Sequence, residues 1–438
     1  MSLLRHLPRF RALEQRLGDL ADREQWSRTR LDEFQLERLN ALWAHAREHV
    51  PHYRDLATDR SLPDQFGDLG EFSSTVPVLD KALVRDKPEQ FFSDEAAPGG
   101  WHRTGGSTGI PMRVYWEHTA HRQSLQIRYR SEQARGVGVF DRHAFLWGHG
   151  ASLAPGWRGG MARVRRAVED RLRRRIRLSA YQVGPDDLAS HLQRMERFQP
   201  VCLYGYSSAV NLLAEAAEAA GTSVPSLRLV TLSAEPAHPW IVEQVGRGFG
   251  APVLIEYGSV ECGNMAISDE SGRLRVREDH VLLETVERED GRFDVIVTVL
   301  YNPSFPLIRY RIEDVTEHAL NRPTAGFAWL DAIGGRDNDF LWTATGGRVH
   351  PQAVKHVVEH LPVRRFTARQ SGSGLLTLMV EADRDLPPSD VDRTTHLLQE
   401  MLGGLPIRVE THATLPSSPA GKHRWVIADP PSGSLPTD

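Results

Sequence analysis

Arg103-Thr-Gly-Gly-Ser-Thr-Gly-Ile-Pro111 is the stretch on which the reading of this chain turns. Three glycines, two threonines and a serine fill the six positions from Thr104 to Gly109, so the segment has nothing to bury. Glycine lets a backbone pass close to a ligand, and successive N–H groups with small hydroxyls suit a polyanion. The loop reads as a phosphate cradle. It lacks the Gly-Lys-Ser/Thr ending of the kinase and GTPase phosphate loop, because Gly109 runs into Ile110-Pro111. Its glycines are also wrongly spaced for a dinucleotide fingerprint.

The rest of the chain bounds what such a loop can serve. At 438 residues there is room for two or three domains. A formal net charge of −4 gives no reason to expect nucleic acid. Arginine is dense between Arg158 and Arg177, where apolar residues at helical spacing suggest a solvated helix face, with an anion-binding or partner surface as the alternative. Two cysteines, Cys202 and Cys262, exclude a disulfide framework and argue against a cysteine-based zinc site. The first residues are charged and no window approaches the ~18 apolar residues of a membrane span. The expected compartment is the cytoplasm.

Periodicity gives the architecture. Residues 10–50 read as helices closed by Pro51. Met112–Trp116 reads as a strand, so the glycine loop joins extended segments. From His143 onward strands and helices alternate: strands at 143–148, 201–205, 227–232 and 253–257, helices at 186–198, 207–220 and 240–246. Ser207 and Ser208 are expected to cap the second helix, which Gly221 ends. This alternation predicts an α/β fold with a mostly parallel sheet. Extended strands follow at 281–286 and 293–300. Beyond Gly334-Gly-Arg336 the rhythm changes to a small α+β unit, with strands at 375–380 and 407–411 around a helix at 390–402. The expected domains are 1–334 and 335–438. Ligands of such sheets bind beyond the carboxyl ends of the strands, where Ser233, Glu235, Tyr257 and Glu261 lie.

Six segments then stand in order: Thr104–Pro111, Ser233-Ala-Glu-Pro236, Glu256-Tyr-Gly-Ser-Val-Glu261, Tyr310-Arg-Ile-Glu-Asp314, Gly335-Arg336 with Asp339, and Leu415-Pro-Ser-Ser-Pro-Ala-Gly-Lys422. Glu48-His-Val-Pro-His-Tyr-Arg54, Tyr204-Gly-Tyr-Ser-Ser208 and Asn302-Pro-Ser-Phe-Pro-Leu-Ile-Arg-Tyr-Arg311 accompany them. Together they resemble the adenylate-forming (acyl-CoA synthetase) superfamily, in its compact phenylacetate–CoA ligase-like branch that includes proteins of capsular-polysaccharide loci. The resemblance runs the length of the chain.

That resemblance implies a large layered N-terminal domain for ATP and a carboxylic acid, and a small mobile C-terminal domain carrying a catalytic lysine. It implies formation of an acyl-AMP with release of pyrophosphate, then transfer to coenzyme A; an amine or a carrier protein is the alternative acceptor, and a non-catalytic nucleotide-binding protein the alternative outside enzymes. Thr104, Gly105, Gly106, Ser107, Thr108 and Gly109 would hold the β- and γ-phosphates. Glu261 would hold Mg²⁺, a hard cation that takes oxygen ligands. Ser233, Ala234, Glu235, Glu256, Tyr257, Gly258 and Ser259 would line the nucleotide site, with Tyr257 on the adenine. Asp314 would accept from the ribose hydroxyls, Arg336 would contact the nucleotide, and Lys422 would bridge the attacking carboxylate and the α-phosphate. Asn338 and Asp339 mark the hinge, and the Gly346-Gly347 loop would line the thiol channel after domain rotation. His149, Tyr204, Gly205 and Tyr206 would face the acid, whose identity stays open, as does the oligomeric state.

Departures from the family pattern are informative. Gly105 replaces a serine and Ile110 a lysine, leaving Arg113 as the nearest replacement charge. Glu313 replaces a glycine. Asn338 stands where the superfamily prefers aspartate or lysine, and the loop Trp342–Pro351 is a residue longer. The last two bear on the acceptor rather than on activation.

Overall fold

The structure is a computed structural model that describes residues 17–104, 112–148, 165, 167–180, 185–333, 341–344, 348–349, 354, 357–358, 360–415 and 424–429. The chain divides into two compact units, one of residues 1–237 with 245–334, the other of 238–244 with 335–438.

The first unit opens with helix α1 (Arg28–His49), capped by the Ser27 hydroxyl, which accepts from the Arg30 N–H. Pro51 does not close a helical region as expected; it begins helix α2 (Pro51–Asp59), where its fixed φ and missing N–H are tolerated in the first turn. Helices α3 (Leu69–Thr75) and α4 (Lys81–Asp86) follow. Strands β1 (Gly99–Arg103) and β2 (Arg113–Glu117) form an antiparallel hairpin that carries the glycine loop. Helix α5 (His118–Gln133) leads into the main sheet.

That sheet is built on parallel strands β3 (His143–Trp147), β4 (Arg175–Ser179), β5 (Cys202–Tyr206), β6 (Leu229–Ser233) and β7 (Val253–Ser259). Antiparallel β8 (Gly263–Ser268), β9 (Leu274–Val276) and, later, Trp329–Leu330 extend it past β7. Every residue of β5 and β6 is buried, as expected of strands covered on both faces. Helices α6 (Pro185–Phe198) and α7 (Ser207–Ala220) complete the alternation, and Gly221 ends α7 at φ 61.

Two local expectations fail for identifiable reasons. Ser207 and Ser208 do not cap α7, whose N-cap residue is Tyr206; the Glu235 carboxylate instead accepts from the Ser208 N–H at 2.8 Å. The arginine run is helical at residues 167–172, but Arg175 and Arg177 lie on edge strand β4, where both pair with Asp170. Their charges are satisfied locally rather than displayed on one helix face.

A second sheet of β10 (Val281–Glu287), β11 (Phe293–Val299) and β12 (Tyr310–Thr316) is antiparallel, with a bulge opposite Asp294–Ile296. Its inner face joins a core containing Trp43, Tyr53, Phe72, Phe91, Phe305 and Tyr310. The second unit pairs Arg365–Gln370 antiparallel with Leu376–Glu381, which runs parallel to Ile407–His412. Helix Pro388–Met401 makes that parallel crossover. Val426–Ala428 adds a strand beside Arg365–Gln370. The architecture is the expected mixed α/β fold with a large, mostly parallel sheet and a smaller α+β unit. No helix among the described residues is long and apolar enough to cross a membrane.

Candidate active site

The glycine loop is anchored at its base. Arg103 pairs with Arg113 across the hairpin, and just beyond them the Thr104 N–H donates to the Met112 carbonyl at 2.9 Å. The Met112 N–H in turn donates to the Thr104 hydroxyl oxygen at 2.9 Å. Thr104 is therefore the latch of the loop. Gly105, Gly106, Ser107, Thr108 and Gly109 lie outside the described residues, as do His149, Arg336, Asn338, Asp339 and Lys422. The Arg113 guanidinium lies over the Trp101 ring at 4.8 Å.

The Asn302–Arg311 motif clasps this hairpin. Asn302 donates to the Tyr115 carbonyl at 2.8 Å and accepts from the Glu117 N–H at 3.2 Å. Glu117 accepts from both the N–H and the hydroxyl of Ser304, at 3.0 and 2.7 Å. Tyr53, from the early motif, donates to the Pro306 carbonyl at 3.0 Å and accepts from the Ile308 N–H at 3.1 Å. Burial raises the pKa of that phenol. These motifs fix the strands of the hairpin.

The carboxyl edge of the main sheet gathers the remaining residues. Tyr206, Ser233 and Glu256 are aligned by register across β5, β6 and β7. The next residue, Tyr257, donates from its hydroxyl to the Asp314 carboxylate at 2.9 Å. Asp314 follows Glu313, which adopts φ 71 in the bulge within β12. Left-handed backbone favours glycine, and that accounts for the glycine expected at position 313. Glu261 is buried, with 5% exposure, and its carboxylate faces the Lys81 ammonium at 3.3 Å. Lys81 also reaches Glu313 at 3.4 Å. Leu79 brings Lys81 there by pairing with β12: its N–H donates to the Arg309 carbonyl and its carbonyl accepts from the Arg311 N–H.

Beneath this edge lies a buried polar layer. Glu256 accepts from the Tyr204 hydroxyl at 2.6 Å and the Ser233 hydroxyl at 3.0 Å, both on one oxygen. Burial pushes the Glu256 carboxyl up, opposed by Arg128 and those two hydrogen bonds. Arg128, from α5, lies over the Tyr204 ring at 4.8 Å and pairs with Glu132 at 3.4 Å. Burial works against its charge, but Glu132, Tyr129, Tyr204 and Glu256 together hold its pKa above the ordinary value. Glu132, His143 and Cys202 bring one ligand atom each to within 4.8 Å of one another. Arg128 already offsets Glu132, so this group is a charge network within the core. Burial keeps the Cys202 and Cys262 thiols far from ionising, so neither is an activated nucleophile. Trp147 stacks on Tyr204 at 5.3 Å and meets Tyr206 at 4.2 Å, forming an aromatic wall.

Several residues expected at the ligand have structural tasks. A Cβ on Gly205 would sit 2.7 Å from both the Leu146 carbonyl oxygen and Val210, so this glycine permits strand and helix to pack. Gly258 similarly lets the backbone pass Gly263 at the β7–β8 irregularity. The Glu235 carboxylate caps α7, Ala234 takes the left-handed turn at φ 68, and the Ser259 hydroxyl accepts from the Cys262 N–H at 3.0 Å. Lys81 and Arg128 escaped the sequence reading. The only signal for Lys81 was its place after Val76-Pro-Val-Leu-Asp80; Arg128 needed the facing surface of α5 to be resolved.

No protein-family model matches the chain. It is 21% identical over 417 residues to protein CapK of Staphylococcus aureus, covering 91% of this chain and 89% of CapK. It is 27% identical over 380 residues to a phenylacetate-coenzyme A ligase of Thermus thermophilus, covering 79% and 80%. The Escherichia coli phenylacetate-coenzyme A ligase is 26% identical over 353 residues, with 76% and 77% covered. Its fold matches that of 2-hydroxyisobutyryl-CoA ligase crystallised with an acyl-AMP, with a TM-score of 0.71 at 20% identity over 93% of this chain and 91% of that one. In sequence the chain is thus similar to the phenylacetate-coenzyme A ligases and CapK, and in fold to an acyl-CoA ligase of the adenylate-forming kind.

Proposed function

We propose that the protein activates a carboxylic acid with ATP and passes the acyl group to the thiol of coenzyme A. In the first step a carboxylate oxygen attacks the α-phosphorus, the bond to the bridging oxygen breaks, and pyrophosphate leaves. In the second the thiol sulfur attacks the acyl carbon, AMP departs and the thiol proton is released. The observation that carries this reading is the Tyr257–Asp314 hydrogen bond beside buried Glu261, at the carboxyl ends of parallel strands. Tyr257 would lay its ring on the adenine, and the Asp314 carboxylate would accept from the ribose hydroxyls.

The residues fit a divalent cation: Glu261 and Glu313 are hard-oxygen donors that converge on one cationic group, Lys81. Mg²⁺ is usually held by one or two carboxylates together with substrate phosphates, and when bound it would neutralise phosphate charge. The loop Thr104–Gly109 would orient the leaving pyrophosphate, and Lys422 would stabilise charge developing between the carboxylate and the α-phosphate. Removing one such contact lowers rate by about 10²–10³. Residues 335–438 would form the mobile domain that brings Lys422 in, and later exchanges it for the Gly346-Gly347 loop. Asn338 and the longer loop Trp342–Pro351 touch only this second stage, so an amine or a carrier protein is the rival acceptor.

The test follows AMP release from the intact enzyme, ATP and an acid that supports pyrophosphate exchange. Coenzyme A is expected to accelerate release and yield the thioester. Acceleration by an amine or carrier protein alone would replace the acceptor and leave the activation step standing.

A further inference from the structure

We infer that the acid has a polar, uncharged acyl end, a hydroxyl or carboxamide set away from its reacting carboxylate, and that Arg128 and Glu256 recognise it. The inference rests on the acid-activating reading above. An arginine carries five N–H donors. Arg128 spends none of them on a hydrogen bond among the described residues: its Nε faces the Glu132 carboxylate at ion-pair distance, 3.4 Å, which leaves its two terminal amino groups for a ligand. Its side chain keeps 10% of its surface accessible. Contacts with the Phe145 and Tyr204 rings explain how the guanidinium is oriented, but leave its donors unused.

Glu256 supplies the second, independent observation. One carboxylate oxygen takes both hydrogen bonds, from Tyr204 and Ser233, while the other is enclosed with no partner among the described residues. Arg128 and Glu256 act on each other electrostatically and both adjoin Tyr204. A buried guanidinium that makes no hydrogen bond, beside a buried carboxylate oxygen that accepts none, is what a site shows when its ligand completes the pairing.

Charge selects among the groups that could complete it. One guanidinium already faces two carboxylates, Glu132 and Glu256. A second carboxylate on the acid would meet net negative charge, and an ammonium would meet Arg128. A hydroxyl or carboxamide accepts from Arg128 and donates towards Glu256 without adding charge. Depth selects its position. Tyr204 lies two residues inward from Tyr206 on β5, roughly 6–7 Å along a strand. The polar group is thus distal, across an aryl ring or at the end of a short chain, and not on the carbon bearing the carboxylate.

The experiment measures ATP–pyrophosphate exchange with matched pairs: 4-hydroxyphenylacetate and phenylacetate, 4-hydroxybenzoate and benzoate, 5-hydroxypentanoate and pentanoate. In whichever pair exchanges, the hydroxylated acid should be favoured in kcat/KM by on the order of 10²-fold or more, since a site built to bind a hydroxyl rejects the analogue that lacks it. Arg128→Met and Glu256→Gln should each shrink that ratio at least tenfold, and Arg128→Met should do so with the KM for ATP unchanged. Arg128→Lys, which keeps the charge, guards against a folding defect and should retain part of the preference. Equal use of both members of a pair, preference for the unsubstituted acid, or full discrimination in Arg128→Met would overturn the inference alone. No exchange with any acid would overturn the activating reading, and this inference with it.

Discussion

Replacing Gly205 by alanine should damage acid binding more than nucleotide binding. The new Cβ would lie 2.7 Å from the Leu146 carbonyl oxygen, 2.7 Å from Val210 Cγ2 and 3.0 Å from Leu146 Cβ. None of these is the free end of a flexible chain: Leu146 is paired in register with Gly205 on β3, and Val210 is in the first turn of α7. Reaching ordinary contact requires about 0.7 Å of separation on two sides. Overpacking of this kind costs about 1–3 kcal/mol. Alanine recovers about 0.4–1 kcal/mol by restricting the unfolded chain. The net loss is therefore about 0.5–2 kcal/mol, or roughly 1–3 °C in Tm for a unit of this size. Tyr204 and Tyr206 flank the substitution, so the aromatic wall shifts with it, and displacements near 1 Å can lower turnover by about 10²-fold. Thermal unfolding and pyrophosphate-exchange kinetics read both effects. A Gly205→Ala protein with wild-type Tm and unchanged acid KM would refute the reasoning.

Other perturbations reach different parts of the account. Tyr53→Phe strands the Pro306 carbonyl and the Ile308 N–H, so denaturant titration should show a loss of about 1–3 kcal/mol; no loss would mean water replaces the hydroxyl. Burial holds His280 down to about 4, with Asp279 opposing and Arg130 adding to the shift. The unfolded imidazole therefore binds its proton first, and stability should fall by about 3 kcal/mol as pH drops from 6.5 to 4. Denaturant midpoints across that window should decline less steeply in His280→Asn; equal slopes would clear His280 of the effect. Lys81→Met removes the ammonium that neutralises Glu261 and Glu313. Added Mg²⁺ should raise its Tm more than it raises that of the wild type, and an equal response would remove Lys81 from the cation site.

The sheet was readable because its signals are local. Apolar runs bounded by turn residues mark β5, β6 and β7, and Gly221 ends α7 where a left-handed residue is needed. The Tyr257–Asp314 pair was expected as two roles at one ligand, and the fold brings the two side chains into hydrogen-bond contact. The cap on α7 was not readable, because Glu235 arrives from the end of another strand, 27 residues away. Lys81 approaches Glu261 through a bridge between Leu79 and Tyr310, a pairing no periodicity reveals. Arg128 looks like one more charge on a polar helix until Phe145 and Tyr204 are packed against it. Long-range pairing, rather than propensity, decides each of these positions.

The most direct measurement is carboxylate-dependent ATP–pyrophosphate exchange in the intact protein, compared with Asp314→Ala and Lys422→Ala. The account predicts exchange that requires both an acid and Mg²⁺, a raised ATP KM in Asp314→Ala, and loss of exchange in Lys422→Ala while thioester formation from a pre-made acyl adenylate persists. Folded protein that exchanges pyrophosphate with no acid, or Lys422→Ala exchanging at the wild-type rate, would contradict it.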